Sequence, residues 1–305
     1  MPLMIPDKLP AIEQLKKENI FVMGTTRAQT QDIRPLKLVV LNLMPMKVVT
    51  ETELVRLLSN TPLQIEVEFL RLQTHTPKNT SMDHMRAFYY VFDQIKDQKY
   101  DGMIVTGSPL EQMEFEDISS WEEMEKIFDW AKTHVTSTLF ICWAAFAGLY
   151  HNYGIRKYAL PEKMFGVFSH RPLDPLLPIF RGFDDYFYVP HSRHTEVRKQ
   201  DILKHNELQI AAESDEAGVY MVIGRGGREI YVTGHAEYDL HTLDSEYRRD
   251  LSRGLPIKKP LHYYKDDDPS KGPVLKWRSY ANLFYQNWLN YYVYQETPYD
   301  LSMIQ

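Results

Sequence analysis

Between residues 36 and 151 the chain repeats one pattern, in which a short apolar run is followed by a longer segment with apolar residues at helical spacing. The apolar runs are 36–43, 65–70, 103–106 and 138–141, and the helical segments that follow them are 50–59, 82–96, 120–134 and 143–151. Successive β-then-α units bury their apolar faces when the strands form a parallel sheet with helices on both sides. We therefore predict an α/β fold with a mostly parallel, helix-covered central sheet.

Beyond about residue 155 the apolar runs become shorter and lie closer together. Strands are predicted at 165–168, 186–189, 208–212, 219–223 and 229–232, and a helix is predicted at about 241–253. The Gly-Arg-Gly-Gly stretch at 224–227 is typical of a hairpin turn between the last two strands. We expect this half to continue the same sheet with mixed strand directions.

Three regions are distinguished by composition. Residues 1–35 contain four prolines and are expected to form an N-terminal arm that packs over the main body. Residues 36–255 are expected to form one α/β domain that holds the candidate catalytic residues. Residues 256–305 contain a polar loop and an aromatic helix from about Trp277 to Tyr294, which we expect to pack on the same domain.

The composition excludes several classes of protein. Lys and Arg number 35 against 41 Asp and Glu, so the chain lacks the basic excess with which general nucleic-acid binders neutralise phosphates. Cys142 is the only cysteine, which excludes an intramolecular disulfide framework and a cysteine-rich zinc site. No apolar run approaches the roughly 18 residues of a membrane span, and the N-terminus lacks a secretory signal pattern. We therefore predict a soluble cytoplasmic protein that binds neither nucleic acid nor a membrane.

Cys142 occupies the position expected of a nucleophile. An apolar strand ends directly at this cysteine, and the small residues after it open a helix. Such a strand-turn-helix junction presents a side chain at the carboxyl edge of a sheet, and the helix N-terminus favours the thiolate. The alternative is a buried cysteine that only fills the core.

His235 and Glu237 are the candidate base and its partner. They follow another predicted strand and lie two residues apart, so in extended chain they project to the same side. The carboxylate can then hold the imidazole while the imidazole takes the thiol proton. Because 93 residues separate Cys142 from His235 along the chain, only the fold can bring them together.

The segment Thr106–Glu111 is the candidate source of oxyanion donors. Its Thr-Gly-Ser-Pro-Leu-Glu sequence predicts a turn at the end of the third strand. Acyl chemistry needs N–H groups directed at the developing negative charge. We expect the backbone N–H groups of Leu110 and Trp143 to supply them.

Together these motifs resemble the class I glutamine amidotransferase-like superfamily with its Cys-His-Glu triad. Within that superfamily, the chain is similar to homoserine O-acyltransferases of the MetA type. The similarity extends over essentially the whole chain, and several separated motifs occur in the same order. They are Leu41-Asn42-Leu43-Met44-Pro45-Met46-Lys47, Ile141-Cys142-Trp143-Ala144, Pro190-His191-Ser192-Arg193, Gly234-His235-Ala236-Glu237 and Arg248-Arg249-Asp250.

The resemblance implies a ping-pong reaction that forms part of methionine biosynthesis. Cys142 would take the acyl group from acyl-CoA and pass it to the homoserine hydroxyl, with no cofactor besides the co-substrate. The resemblance also implies that Lys163, Ser192 and Arg249 contact substrate, that Lys47 lies close to the site, and that the protein is a homodimer. Arg249 is suited to bind the amino-acid carboxylate.

Glu111 bears on the choice of acyl donor. In the resembling family this position is associated with the use of acetyl-CoA or succinyl-CoA. A carboxylate beside the acyl pocket repels the carboxylate of a succinyl group, which predicts homoserine O-acetyltransferase activity. The alternatives are that Glu111 faces solvent or that the protein uses succinyl-CoA.

Three other functions are alternatives to acyl transfer. His170, His191 and His194 suggest a metal site only weakly, because the sequence contains neither an H-E-x-x-H motif nor a cysteine pair, and we predict none. A hydrolase or glutaminase with the same triad is a second reading. A ligand sensor or scaffold that has lost the reaction is a third.

Overall fold

The predicted β-then-α units form the centre of one sheet. The computed structural model describes residues 3–6, 8–17, 22–24, 34–75, 79–298 and 300–304, and all strands within these ranges join that sheet. The strands are β1 Leu3–Ile5, β2 Val22–Gly24, β3 Leu36–Leu41, β4 Ile65–Leu70, β5 Tyr89–Tyr90, β6 Tyr100–Val105, β7 Val135–Ile141, β8 Tyr158–Pro172, β9 Phe187–Glu196, β10 Leu208–Ser214, β11 Gly218–Gly224 and β12 Glu229–Val232.

Helices cover both faces of this sheet, as the alternating pattern predicts. The α-helices are α1 Ala11–Lys17, α2 Lys47–Leu58, α3 Met82–Phe88, α4 Phe92–Ile95, α5 Trp121–His134, α6 Trp143–Tyr153, α7 Lys199–Ile202, α8 Thr242–Ser252 and α9 Arg278–Asn287. A π-helical segment, Trp288–Tyr294, continues α9.

The sheet has a parallel half and an antiparallel half. Its strand order is β2-β1-β4-β3-β6-β7-β12-β11-β10-β8-β9, and β5 pairs with the end of β4. Pairing is parallel from β2 as far as β12 and antiparallel from β12 to β9. The predicted fold class is therefore confirmed: an α/β fold whose central sheet is mostly parallel and continues with strands of mixed direction.

The register of the central strands brings three chain segments to one edge. Val105 of β6 pairs with Phe140 of β7, and Ile141 pairs with Val232 of β12. Because these strands are parallel and end at nearly the same level, the chain leaves each of them at the same carboxyl edge. The segments that follow the three strands begin at Thr106, at Cys142 and at Thr233.

Alternate residues of the central strands face two separate cores. Leu38 and Val40 of β3 belong to a cluster with α1, α2 and the C-terminal helix, whereas Val39 and Leu41 belong to a cluster with α5 and α6. This alternation follows from the period of two residues in a strand. Continuous apolar strands are therefore expected wherever helices cover both faces.

Three segments differ from the sequence-based prediction. The helix predicted over 82–96 is divided into α3 and α4 by β5, where the Tyr89 hydroxyl donates a 2.6 Å hydrogen bond to the buried Glu51 carboxylate. The segment 1–35, predicted as an arm, contains β1, α1 and β2, and β1 pairs with β4; residues 25–33 lie outside the described ranges. The aromatic helix changes from α-helical to π-helical geometry at Trp288.

Among the described residues, no helix has the length and apolar character needed to cross a bilayer.

The C-terminal helix supports the centre of the sheet. Trp288 is fully buried, and its indole Nε1–H donates a 3.1 Å hydrogen bond to the Ser137 hydroxyl on β7. A Cβ atom on Gly102 of β6 would lie 2.7 Å from Leu38 on the neighbouring strand, 3.2 Å from Val293 and 3.3 Å from Trp288, so a larger residue would press against both the sheet and this helix.

We expect Trp288→Ala to lower the free energy of unfolding by about 3–5 kcal/mol, because it leaves a large cavity against β6 and β7. Tyr294→Ala, at a 53% exposed position of the same segment, is the matched control and should change that free energy by less than about 0.5 kcal/mol. Chemical denaturation of both variants measures the difference. If both variants lower the free energy of unfolding by equally small amounts, the C-terminal helix does not stabilise the centre of the sheet.

Candidate active site

Cys142 lies at the junction of β7 and α6 in a strained backbone conformation. Its φ of 52° and ψ of −112° lie in a region that residues with a side chain rarely adopt. The Cys142 N–H donates a 2.7 Å hydrogen bond to the Val232 carbonyl on β12, which fixes the turn to the neighbouring strand. The helix that follows packs tightly on the sheet: a Cβ on Gly148 would lie 2.7 Å from Tyr231. Small residues after the cysteine therefore let α6 pack closely behind the sharp turn that the sequence predicts.

His235 is held against Cys142 by contacts on three sides. Its N–H donates to the Pro190 carbonyl at 2.8 Å, and its ring stacks on Tyr238 with centroids 4.0 Å apart. Its Nδ1 lies 2.6 Å from the Glu237 Oε1, so the carboxylate accepts a hydrogen bond from Nδ1–H and leaves Nε2 as the free ring nitrogen. The Cys142 and His235 side chains both lie beside Gly107, and Cys142 raises the pKa of the imidazole.

The charges of this triad stabilise one another. Burial alone lowers the pKa of His235, but the Cys142 thiolate and the Glu237 carboxylate outweigh it and hold the pKa well above its usual value. All three side chains are buried. The arrangement therefore favours an imidazolium next to the cysteine sulfur, where it can stabilise negative charge.

The Thr106–Glu111 segment passes directly over the triad. A Cβ atom on Gly107 would lie 3.2 Å from the His235 Cε1 and 3.5 Å from the Cys142 Cβ, so a side chain here would press on the His235 ring. The Thr106 hydroxyl accepts a 2.7 Å hydrogen bond from the Leu43 N–H and ties the segment to the end of β3. Trp143 is the first residue of α6, where a backbone N–H has no partner within the helix.

A cavity of about 210 Å³ lies on the outer side of this segment. Ser108, Pro109 and Leu110 form one of its walls, and Lys47 and Arg71 are among the residues opposite. Lys47 is buried at the start of α2, where its Nζ donates to the Asn42 carbonyl. Burial lowers the pKa of Lys47 to about 8, and the nearby Glu51 acts in the opposite direction.

The predicted substrate contacts meet at a residue that the sequence reasoning missed. Glu246 of α8 accepts hydrogen bonds from Lys163 Nζ at 2.6 Å and from Ser192 Oγ at 2.9 and 3.0 Å. Arg249 Nη2 lies 3.7 Å from the Glu246 Oε1. Because Glu246 precedes Arg249 by three residues on one helix, the i, i+3 spacing was the signal that could have identified it.

The cluster of Lys163, Ser192, Glu246 and Arg249 adjoins the triad. Tyr238, which stacks on His235, connects the two groups. Burial and then the negative charges of Glu246, Glu237 and Cys142 raise the pKa of Tyr238 well above its usual value. The charges of Glu246, Glu237 and Cys142 therefore all act on the one tyrosine that stacks on His235.

Glu111 points into the protein rather than to solvent. Its Oε2 accepts a 2.5 Å hydrogen bond from the His194 N–H on β9, and its carbonyl accepts one from Lys157 Nζ at 2.9 Å. Burial raises the pKa of Glu111, while the His194 N–H, His235 and Lys163 act against that shift. The Glu111 carboxylate is thus close enough to both His235 and Lys163 to be influenced by their charges.

The histidines considered as metal ligands form a different arrangement. His170 and His191 are buried and stacked, with their Nε2 atoms 3.0 Å apart, and Arg193 Nε donates to the His191 Nδ1 at 3.3 Å. Burial lowers the pKa of His170 to about 3, so this ring is neutral. Within the described ranges, no group of three or more His, Cys, Asp or Glu side chains could hold a metal ion.

Comparison with known proteins identifies the family. The family model described as homoserine O-succinyltransferase matches residues 2–299. The chain belongs to this family. Similar curated proteins are named homoserine O-acetyltransferase: those of Bacteroides fragilis, at 66% identity, and Bacteroides thetaiotaomicron, at 65%, each match over the full length of both chains. The one from Acetivibrio thermocellus is 58% identical, also over both full lengths.

Solved structures resemble the fold alone. A glutamine amidotransferase from Thermotoga maritima aligns with 86% of this chain and 100% of its own, with a TM-score of 0.56 and 12% identity. One from Methylobacillus flagellatus aligns with 85% of this chain and 95% of its own, with a TM-score of 0.53 and 11% identity. The resemblance to the class I glutamine amidotransferase-like fold is therefore confirmed.

We expect Gly107→Ala to slow the alkylation of Cys142 by iodoacetamide about 10- to 100-fold at pH 7, because the new methyl group displaces the His235 ring from the thiol. Ser108→Ala, at the next position of the same segment, is the control and should alkylate at the unmodified protein's rate. The reaction is followed by intact mass. An unchanged alkylation rate in Gly107→Ala would show that the close approach of this segment does not affect the reactivity of Cys142.

Proposed function

We propose that this protein is a homoserine O-acetyltransferase with Cys142 as its nucleophile. The observation that carries the proposal is the hydrogen-bonded pair of His235 and Glu237, placed beside Cys142 at the carboxyl edge of the sheet. Full-length relatives at up to 66% identity bear that enzyme name. Soluble cytoplasmic location, a homodimeric state and a role in methionine biosynthesis belong to the same proposal.

In the first half-reaction the Cys142 thiolate attacks the carbonyl carbon of acetyl-CoA. The C–O double bond opens to an oxyanion, which we place against the N–H groups of Trp143 and Leu110. The carbonyl re-forms as the C–S bond to CoA breaks, and the His235 imidazolium gives its proton to the departing sulfur. The products are free CoA, neutral His235 and an acetyl thioester on Cys142.

In the second half-reaction His235 acts as a base. It takes the proton of the homoserine hydroxyl as that oxygen attacks the thioester carbonyl. Collapse of the second oxyanion breaks the bond to Cys142, which leaves as a thiolate beside the re-formed imidazolium. Throughout both steps Glu237 accepts a hydrogen bond from His235 Nδ1–H and stabilises the positively charged ring. Glu237 does not itself take a proton. No cofactor other than the acetyl-CoA co-substrate enters either step.

The cluster of Lys163 on β8, Ser192 on β9, and Glu246 and Arg249 on α8 has the charges that an amino acid requires. Homoserine presents an ammonium group and a carboxylate, and Glu246 provides a carboxylate beside the cations Lys163 and Arg249. Arg249 is half exposed, so its guanidinium can form a bidentate contact with the substrate carboxylate. Ser192, already within hydrogen-bond distance of Glu246, would complete the polar contacts.

The function is tested by intact mass and by CoA release. Acetyl-CoA without homoserine should add one acetyl group to the protein and release CoA in equal amount, and homoserine should remove that group. Cys142→Ser should gain no acetyl group, and its turnover should fall by at least about 10³-fold. Glutamine serves as the comparison substrate. Ammonia from glutamine, without CoA release from acetyl-CoA, would instead favour the glutaminase reading.

The position of Glu111 supports acetyl-CoA over succinyl-CoA. Its charge lies near Lys163 and His235, where the far end of a longer acyl group would extend. A second carboxylate there costs up to several kcal/mol, which corresponds to at least a tenfold preference for the acetyl donor. A neutral Glu111 would lose most of this discrimination.

We expect Glu111→Gln to lower the ratio of kcat/KM for acetyl-CoA to kcat/KM for succinyl-CoA by at least about tenfold, because glutamine keeps the size of the side chain and removes its charge.

In the unmodified protein the same ratio should also fall as the pH decreases, because the raised pKa of Glu111 brings its protonation closer to neutral pH. Glu111→Gly, which additionally opens space, separates size from charge. Equal rates with both donors in the unmodified protein would contradict repulsion by Glu111.

A further inference from the structure

Glu53 is a buried carboxylate outside the catalytic triad. It lies near the middle of α2 and is 3% exposed. A single oxygen, Oε1, accepts two hydrogen bonds: from the Asp239 N–H at 3.0 Å and from the Thr242 hydroxyl at 2.8 Å. Charged side chains are seldom buried this completely unless a specific partner requires them.

The two donors belong to the link between the triad and the substrate-contact cluster. Asp239 follows Glu237 by two residues, and Thr242 is the first residue of α8. The same helix carries Glu246 and Arg249. One carboxylate oxygen on α2 therefore holds the residues that connect the triad acid to the helix expected to bind homoserine.

The surroundings of Glu53 make its burial costly. Burial raises the pKa of Glu53 to about 7; the Asp239 N–H, the Thr242 hydroxyl and His235 act against this, and Glu237 adds to it. The buried rings of Tyr238 and Tyr285 also face this charge. For stability alone an apolar side chain would serve as well, since replacing buried charged groups by apolar ones is often neutral or stabilising. However, an apolar side chain at position 53 would leave the Asp239 N–H and the Thr242 hydroxyl without an acceptor.

We propose that Glu53 is a positioning residue for acyl transfer. Its Oε1 fixes the 238–242 link, so that Glu237 meets His235 and so that Glu246 and Arg249 face the acyl acceptor. The required feature is the acceptor oxygen, which a glutamine also provides. The part of this inference that concerns homoserine rests on the proposed function, whereas the part that concerns the triad does not.

The test compares Glu53→Leu with Glu53→Gln. In Glu53→Leu the 238–242 link loses its hydrogen-bond acceptor. We therefore expect kcat/KM for homoserine to fall about 30- to 100-fold, with a raised KM. We also expect the alkylation of Cys142 by iodoacetamide to slow about tenfold. Glu53→Gln should remain within about threefold of the unmodified protein in both measurements. A folded Glu53→Leu with unchanged kinetics, or a Glu53→Gln as impaired as Glu53→Leu, would overturn the proposal.

Two further variants guard against a purely structural effect. Thr242→Val removes only one donor, and should raise the KM for homoserine by a smaller factor than Glu53→Leu while leaving alkylation nearly unchanged. Thr52→Ala, next to Glu53 on the solvent side of α2, is the control and should match the unmodified protein. If the unmodified protein transfers no acetyl group, the proposed function fails. The alkylation rates still decide whether Glu53 positions the triad.

Discussion

The parallel pairing of β7 with β12 is the constraint on which the site depends. Because Ile141 lies opposite Val232, the chain leaves both strands at the same edge, and the Cys142 N–H continues the pairing by donating to the Val232 carbonyl. That hydrogen bond holds a backbone conformation whose cost is of order 1–3 kcal/mol. Three residues beyond β12, His235 is then within reach of the sulfur. A change in register between these two strands would separate Cys142 from His235, the proposed nucleophile from its proposed base.

Around this pair the protein uses carboxylates for different tasks, and their partners distinguish them. Glu237 accepts from an imidazole, Glu246 from an ammonium and a hydroxyl, and Glu111 from a backbone N–H. Glu53 accepts from a backbone N–H and a hydroxyl at the start of α8. In the proposed ping-pong reaction two different substrates enter one site in turn. Fixed charges of this kind would distinguish the two substrates without a change of fold.

The sequence was informative where one local pattern determines the structure. Alternating apolar runs predicted the parallel sheet, and the strand-cysteine-helix junction predicted the position of Cys142. Glu246 and Glu53 were missed because their partners are distant in the chain: Glu53 contacts residues 186 and 189 positions away. The break at Tyr89 was missed for a similar reason, since the hydroxyl's partner, Glu51, belongs to another helix. Long-range polar contacts leave no period in a sequence, whereas apolar faces do.

The burial of Trp288 against β7 makes the centre of the sheet depend on a segment that is distant along the chain. The strand that precedes Cys142 packs against a helical segment 151 residues later, as the Trp288 to Ser137 hydrogen bond shows. One face of the central strands therefore stays uncovered until this segment docks, even where residues 36–255 have already paired their strands. A folding intermediate without the docked helix would expose apolar surface over the strands that lead to Cys142. Docking of the C-terminal helix is thus the step that closes this core.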